Sequence, residues 1–188
     1  GDDDAHFNGP AAVLVAPNGE IWVADGHRGG NNRVMKFAPD GTLLLKMGGG
    51  VDSASRAVGH FDDPHDLKMD SQGRLFVADR GNNRIQIFSQ EGELLETWTQ
   101  FGRPSGMFID GSDVIYVADG MSGAQWNPGW ERGIRIGDAK TGWVTAFIPD
   151  YEVPTGSGIE FLATDSEGNI YAGQVGRQRF EKYVRVRP

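Results

Sequence analysis

The stretch Phe61–Phe88, FDDPHDLKMDSQGRLFVADRGNNRIQIF, decides the fold. Its short runs rich in branched and aromatic residues alternate with polar positions, and glycine-containing turns separate them. HDLKMD reads as a first strand, RLFVAD as a second after Ser71-Gln72-Gly73, and RIQIFS as a third after RGNN. ELLETWTQ follows as a fourth beyond Glu91-Gly92. Period-two alternation bounded by such turns predicts antiparallel strands in a meander.

The unit recurs. FNGPAAVLVAPNGEIWVAD (Phe7–Asp25) and FGRPSGMFIDGSDVIYVAD (Phe101–Asp119) align without gaps on Phe61–Asp79, and SGIEFLATDSEGNIYAGQ (Ser157–Gln174) is a looser fourth copy. Starts at Phe7, Phe61 and Phe101 lie 54 and 40 residues apart, the period of four-stranded propeller blades. The expectation is an all-β chain, one propeller domain over 1–188, with blades at about 7–50, 61–100, 101–150 and 151–188. GTLLLKM, ELLETWTQ and GWVTAFI supply fourth strands to the first three copies, whereas the fourth stops after RFEKYVRVRP. Propellers close to remove exposed sheet edges. GDDDAH, ahead of the first copy, is no strand, so the chain reads as a partial ring. Residues missing upstream, or self-association with another chain, are expected to complete it.

Composition narrows the partners. The 188 residues are 38% hydrophobic, ample for a globular core, and the formal charge of −8 argues against a nucleic-acid backbone or an anionic membrane surface. No window approaches eighteen consecutive apolar residues, so no membrane span is expected, and the first ten residues lack the features of a signal peptide. The sequence opens without methionine, and residue 1 is taken as a boundary made by processing or cloning. With no cysteine, disulfides and thiolate metal sites are excluded.

VADRGNNRIQIFSQEGE (77–93) and GNNRVMKFAPDG (30–41) resemble the NHL repeat, the blade of six-bladed NHL β-propellers. This NHL-type resemblance covers nearly the whole chain and implies four blades of six. A closer resemblance, carried by FNGPAAV with ADGHRGGNNRVMKF and by FDDPHDL with ADRGNNRIQIF, is to the peptidyl-α-hydroxyglycine α-amidating lyases and related bacterial NHL proteins. The four blades would correspond to the C-terminal four of that family. The resemblance implies zinc at the channel mouth, held by histidines that follow a proline at the start of an inner strand. His65 matches such a ligand, and Glu160 stands where the family has histidine; glutamate can replace imidazole on zinc. Arg80 matches an active-site arginine suited to a substrate carboxylate, and His27 stands where the family has its catalytic tyrosine. Asp66 is the candidate for a structural calcium, and a secreted or periplasmic location is implied. The implied reaction cleaves a peptidyl-α-hydroxyglycine to an amide and glyoxylate.

Repetition separates structural from functional residues. Asp25, Asp79 and Asp119 recur at one place, as do Arg33, Arg84 and Arg132 or Arg135, so hydrogen bonds to turn amides and ion pairs at blade edges are expected of them. His6 and His60 likewise recur, as rim residues. Arg80 does not recur, being replaced by Gly26 and Gly120, and Glu160 is also unique. The loop Gly120–Gly133 is an insertion carrying Trp126 and Trp130, which can roof a ligand cleft or pack on a neighbouring loop. Two function classes remain open: a metal-dependent lyase using His65, Glu160, Arg80 and His27, and a non-catalytic propeller binding a peptide, protein or small ligand on its face.

Overall fold

The computed structural model describes residues 1–49, 59–151 and 157–186. Fifteen strands form four antiparallel sheets, and the helical content among the described residues is one 3-10 turn, Arg80–Asn82. The first sheet holds β1 (Pro10–Val15), β2 (Ile21–Asp25), β3 (Arg33–Phe37) and β4 (Leu43–Gly48). The second holds β5 (Pro64–Met69), β6 (Leu75–Asp79), β7 (Arg84–Phe88) and β8 (Leu94–Trp98). The third holds β9 (Gly106–Ile109), β10 (Val114–Asp119), β11 (Gly133–Asp138) and β12 (Val144–Pro149). The fourth has three strands among the described residues, β13 (Ile159–Thr164), β14 (Ile170–Gln174) and β15 (Arg179–Tyr183). Each sheet is a meander in sequence order, the blade of a propeller, so the all-β, four-bladed expectation is what forms. No helix among the described residues is long and apolar enough to cross a membrane.

The chain divides into two compact units, Gly1–Trp98 and Thr99–Pro188, each holding two sheets. In the first unit Trp22, Ala24, Val34 and Met47 of one sheet pack against Phe61, Leu67, Leu75, Val77 and Phe88. The period-two pattern explains the selection, because Trp22 and Ala24 share a face of β2 as Leu75 and Val77 do of β6. Burying side chains of this size stabilises by about 1.5–3 kcal/mol each. The second unit repeats the arrangement with Tyr116, Ala118 and Ile134 against Ile159, Leu162, Ile170 and Ala172.

One brace recurs in three sheets. The carboxylate closing the second strand accepts a backbone N–H from the start of its blade: Asn8 to Asp25 at 2.8 Å, Asp62 to Asp79 at 2.7 Å, Arg103 to Asp119 at 3.0 Å. The same carboxylate pairs with the arginine that opens or lies near the start of the third strand, Arg33, Arg84 or Arg135, at 2.6–3.1 Å. Arg135, rather than Arg132, therefore makes the ion pair of Arg33 and Arg84, from two residues beyond Gly133, which holds their register position. Arg33 and Arg84 also donate to the carbonyls of His6 and His60, which ties down the rim.

Three of the four first strands share an irregularity. Register shifts between Pro10 and Ala12, between Pro64 and Asp66, and between Ile159 and Phe161, leaving Ala11, His65 and Glu160 at the bulge. A bulge re-aims the extra side chain away from the sheet alternation.

Candidate functional site

Three segments of the first unit meet at one end of its strands: the loop after β2, the turn into β5, and the 3-10 turn after β6. The loop after β2 is fixed by Gly9, whose carbonyl accepts from the amides of Gly26 and His27 at 2.9 and 2.8 Å. Gly26 lies so close to the next blade that a Cβ there would sit 2.6 Å from Pro64 Cδ, so only glycine lets the two segments touch. Gly81 plays the same part on the other side: its amide donates to Asp62 O at 2.7 Å, and a Cβ would collide with that residue's carboxylate.

Asp63 sits at the centre. Its φ of +54° is left-handed, a conformation aspartate tolerates better than most residues, and its amide donates to Asn32 Oδ1 at 2.9 Å. Arg80 donates from Nε and Nη2 to Asp63 Oδ2 at 2.8 and 2.6 Å. His27 Nδ1 lies 3.1 Å from Asp63 Oδ1 and 3.3 Å from Arg80 Nη2. The guanidinium can only donate, whereas the shorter carboxylate contact is a hydrogen bond when Nδ1 carries the proton, the tautomer that puts the ring's lone pair on Nε2. The rings of His27 and His65 meet edge to face, centroids 4.9 Å apart. Burial works to raise the Asp63 pKa, but the Arg80 charge and hydrogen bond, with help from His65 and His27, outweigh it and hold the carboxyl below its ordinary value.

The structure thus brings together His27, His65 and Arg80, and adds Asp63, which the sequence reading missed. A signal was present: in the repeat register Asp63 stands where the other blades have Gly9 and Arg103, the same non-recurrence that singled out Arg80. Asp66 accepts from Lys68 Nζ at 2.6 Å and from the Leu67 amide at 2.8 Å.

Glu160, Trp126 and Trp130 belong to the second unit. Glu160 occupies the bulge of β13, with its carbonyl beside Gly106 of β9. The Trp126 and Trp130 rings lie under the guanidinium carbons of Arg103 and Arg135, at 5.2 and 4.9 Å. The loop carrying them is pinned by the Ser122 amide on Asp119 and by Asn127 Nδ2 on Ser122 Oγ. Among the described residues no three or more His, Cys, Asp or Glu side chains are placed to hold a metal ion.

The Asp63–Arg80 pair yields a stability prediction. Its side chains are 13% and 7% exposed, so Arg80→Met strands a mostly buried carboxylate that can still turn toward water. The expected loss is about 2 kcal/mol, or roughly 4–8 °C in Tm. A carboxyl with a depressed folded pKa adds stability above its unfolded pKa of about 3.9, and that stability is lost as pH falls through the folded value. Thermal unfolding of wild type and Arg80→Met should therefore differ at neutral pH and converge well below pH ~4; an equal gap at both pH values would refute the pairing.

Comparison with known proteins follows the same lines. Residues 61–88 match the NHL repeat. NHL repeat-containing protein 3 of Homo sapiens is 32% identical over 185 residues, 95% of this chain and 50% of that protein. Peptidyl-glycine alpha-amidating monooxygenase A of Xenopus laevis is 43% identical over 183 residues, 92% of this chain and 19% of that protein. A probable peptidyl-alpha-hydroxyglycine alpha-amidating lyase of Caenorhabditis elegans is 39% identical over 90 residues, 47% of this chain and 25% of that protein. The chain spans half the length of the first of these relatives and a quarter or less of the other two. The chain carries an NHL repeat within a set of β-propeller blades and is similar in sequence to NHL repeat-containing and peptide-amidating proteins.

Proposed function

We propose that the first unit carries an amidating-lyase-like site in which His27 accepts the proton that starts C–N cleavage. The observation that carries this reading is the contact of His27 Nδ1 with Asp63, backed by Arg80. A carboxylate on Nδ1 fixes the tautomer, stabilises the imidazolium that forms, and leaves Nε2 as a base toward solvent. The His27 side chain is 32% accessible, more than those of Asp63 and Arg80, as a group that must reach substrate requires.

The substrate class is a peptidyl-α-hydroxyglycine. His27 Nε2 takes the hydroxyl proton, the oxygen's electrons form the aldehyde carbonyl, and the C–N bond breaks. The departing nitrogen takes up a proton, giving a peptide amide and glyoxylate. Zinc, when bound in enzymes of this kind, lowers the pKa of the hydroxyl. The described residues do not assemble a complete ligand set for it, so no step here passes through a metal.

A second reading is non-catalytic binding of a peptide, protein or small ligand, since the arginine expected to hold a substrate carboxylate is already engaged. Asp63 already takes Nε and Nη2 of Arg80, an edge with which a guanidinium grips a carboxylate bidentately. The test is glyoxylate release from an N-acyl-α-hydroxyglycine, with metal content of the purified chain measured alongside. Release above the uncatalysed rate, in proportion to protein, supports the lyase; saturable binding without release, measured calorimetrically, replaces it with the binding reading.

A further inference from the structure

We propose that Arg28, the residue after His27, holds the carboxylate of the ligand that this site takes. The ligand class, an anionic peptidyl-α-hydroxyglycine, is that of the lyase-like reading, on which this step rests.

Arg28 and His27 arrive together on an insertion. Seven residues join Asp25 to Arg33, whereas four join Asp79 to Arg84, so the loop after β2 is longer by three. Its two ends are fixed. On one side the His27 amide donates to Gly9 O at 2.8 Å, and on the other the amides of Gly30 and Asn31 donate to Gly26 O and Asn8 O, each at 3.2 Å. Arg28 and Gly29 form the exposed tip between them. Arg28 takes a φ of +55°, a left-handed conformation uncommon for arginine, and such outliers concentrate where ligands are clamped. The turn carries the Arg28 amide to 3.4 Å from Asp63 Oδ1, so its side chain starts from the centre of the His27 cluster. A Cβ on Gly29 would meet nothing within 4 Å, which leaves room beside Arg28 for a bound molecule.

Pairing sets Arg28 apart from the other cations. Every other described arginine and lysine of the first unit pairs with a carboxylate, at 2.6–2.9 Å. Arg28 has no such partner among the described residues. The acids nearby are committed elsewhere: Asp63 to Arg80 and His27, Asp66 to Lys68, and Asp62 lies against Gly81. Arg80 gives Nε and Nη2 to Asp63, which closes that edge to a substrate carboxylate. The Arg28 fork stays open for the same bidentate grip. In a chain of net charge −8 an anion is disfavoured at most of the surface, so an unpaired guanidinium beside His27 decides where one can settle.

The test pairs binding with turnover, both on the full chain. In a calorimetric titration N-benzoylglycine, a carboxylate that cannot be cleaved, should bind with Kd of about 0.1–1 mM, and N-benzoylglycinamide about tenfold more weakly. Arg28→Gln should erase that preference by weakening the acid about tenfold and leaving the amide unchanged. Glutamine, unbranched at Cβ like arginine, suits the same backbone, and unchanged thermal unfolding checks the fold. Arg28→Lys, which keeps the charge without the fork, should lose about threefold. Lys46→Gln removes the same charge from a cation already paired with Asp4 and should alter neither affinity. In glyoxylate release from N-benzoyl-α-hydroxyglycine, Arg28→Gln should raise KM about tenfold with kcat little changed. Equal affinity of wild type for acid and amide, no saturation by the acid up to ~10 mM, or a preference that survives Arg28→Gln would overturn the proposal. An Arg28-dependent preference without glyoxylate release upholds Arg28 as the carboxylate's partner and removes the lyase reading; release with KM unmoved by Arg28→Gln does the reverse.

Discussion

Asp79→Ala should lower the unfolding free energy by about 3–5 kcal/mol and Tm by roughly 6–20 °C, the larger stability loss expected of a single carboxylate in this chain. Asp79 is fully buried. It accepts the Asp62 amide at 2.7 Å, Arg84 Nε at 2.6 Å, Gln86 Nε2 at 3.0 Å, and Asn82 Nδ2 at 3.0 and 3.1 Å. Burial still pushes its carboxyl up despite these donors. Alanine would leave a buried guanidinium without its counter-charge and orphan several donors together, and a buried donor left unmet costs more than its bond contributes. Asp79→Asn keeps an acceptor but loses the charge, so it should cost about 1–2 kcal/mol less than alanine. Thermal unfolding by circular dichroism measures both; a loss under about 1 kcal/mol for Asp79→Ala would show that the brace does not hold the blade.

The brace was legible in the sequence because it repeats: in the first three copies an aspartate closes the second strand and an arginine lies near the start of the third, and recurrence reveals a structural role. The strands were legible for the same reason, since Trp22, Phe76, Tyr116 and Tyr171 occupy one place in four copies. What recurrence cannot show is burial. Phe7 and Phe61 open equivalent copies of the repeat, yet Phe7 is 42% exposed while Phe61 is 1% exposed and packed on Phe88. Burial depends on which sheet lies alongside, and a repeat does not record its neighbour.

The candidate site was half legible. His27, His65 and Arg80 were marked by their place in the repeat and by resemblance, but their partner Asp63 was hidden inside FDDPHD, among other acids. Its centrality comes from a left-handed backbone turn that aims the carboxylate back across the loop after β2. Trp126 and Trp130 were correctly placed on an insertion, but their partners Arg103 and Arg135 are separated from them by 23 and 5 residues, and no local pattern joins the pairs.

His27→Gln should reduce kcat/KM for glyoxylate release by about 10²–10⁴-fold, the usual worth of a positioned general base. Glutamine can still donate an amide N–H to Asp63, so the loop after β2 should keep its position and KM should change little. Removing the imidazole removes the base that Asp63 positions without breaking the Asp63–Arg80 pair, which confines the effect to the proton-transfer step. Asp63 is a positioning residue, and Asp63→Asn separates that role from a merely structural one. An amide cannot stabilise the imidazolium as a carboxylate does, so kcat should fall while the protein remains folded. The second readout is the split of the kinetic constants: KM should change little while kcat falls, whereas a merely structural role would move both or neither. If His27→Gln released glyoxylate at the wild-type rate, the proton would have another acceptor, and the His27–Asp63 contact would be a packing feature of the loop rather than part of the chemistry.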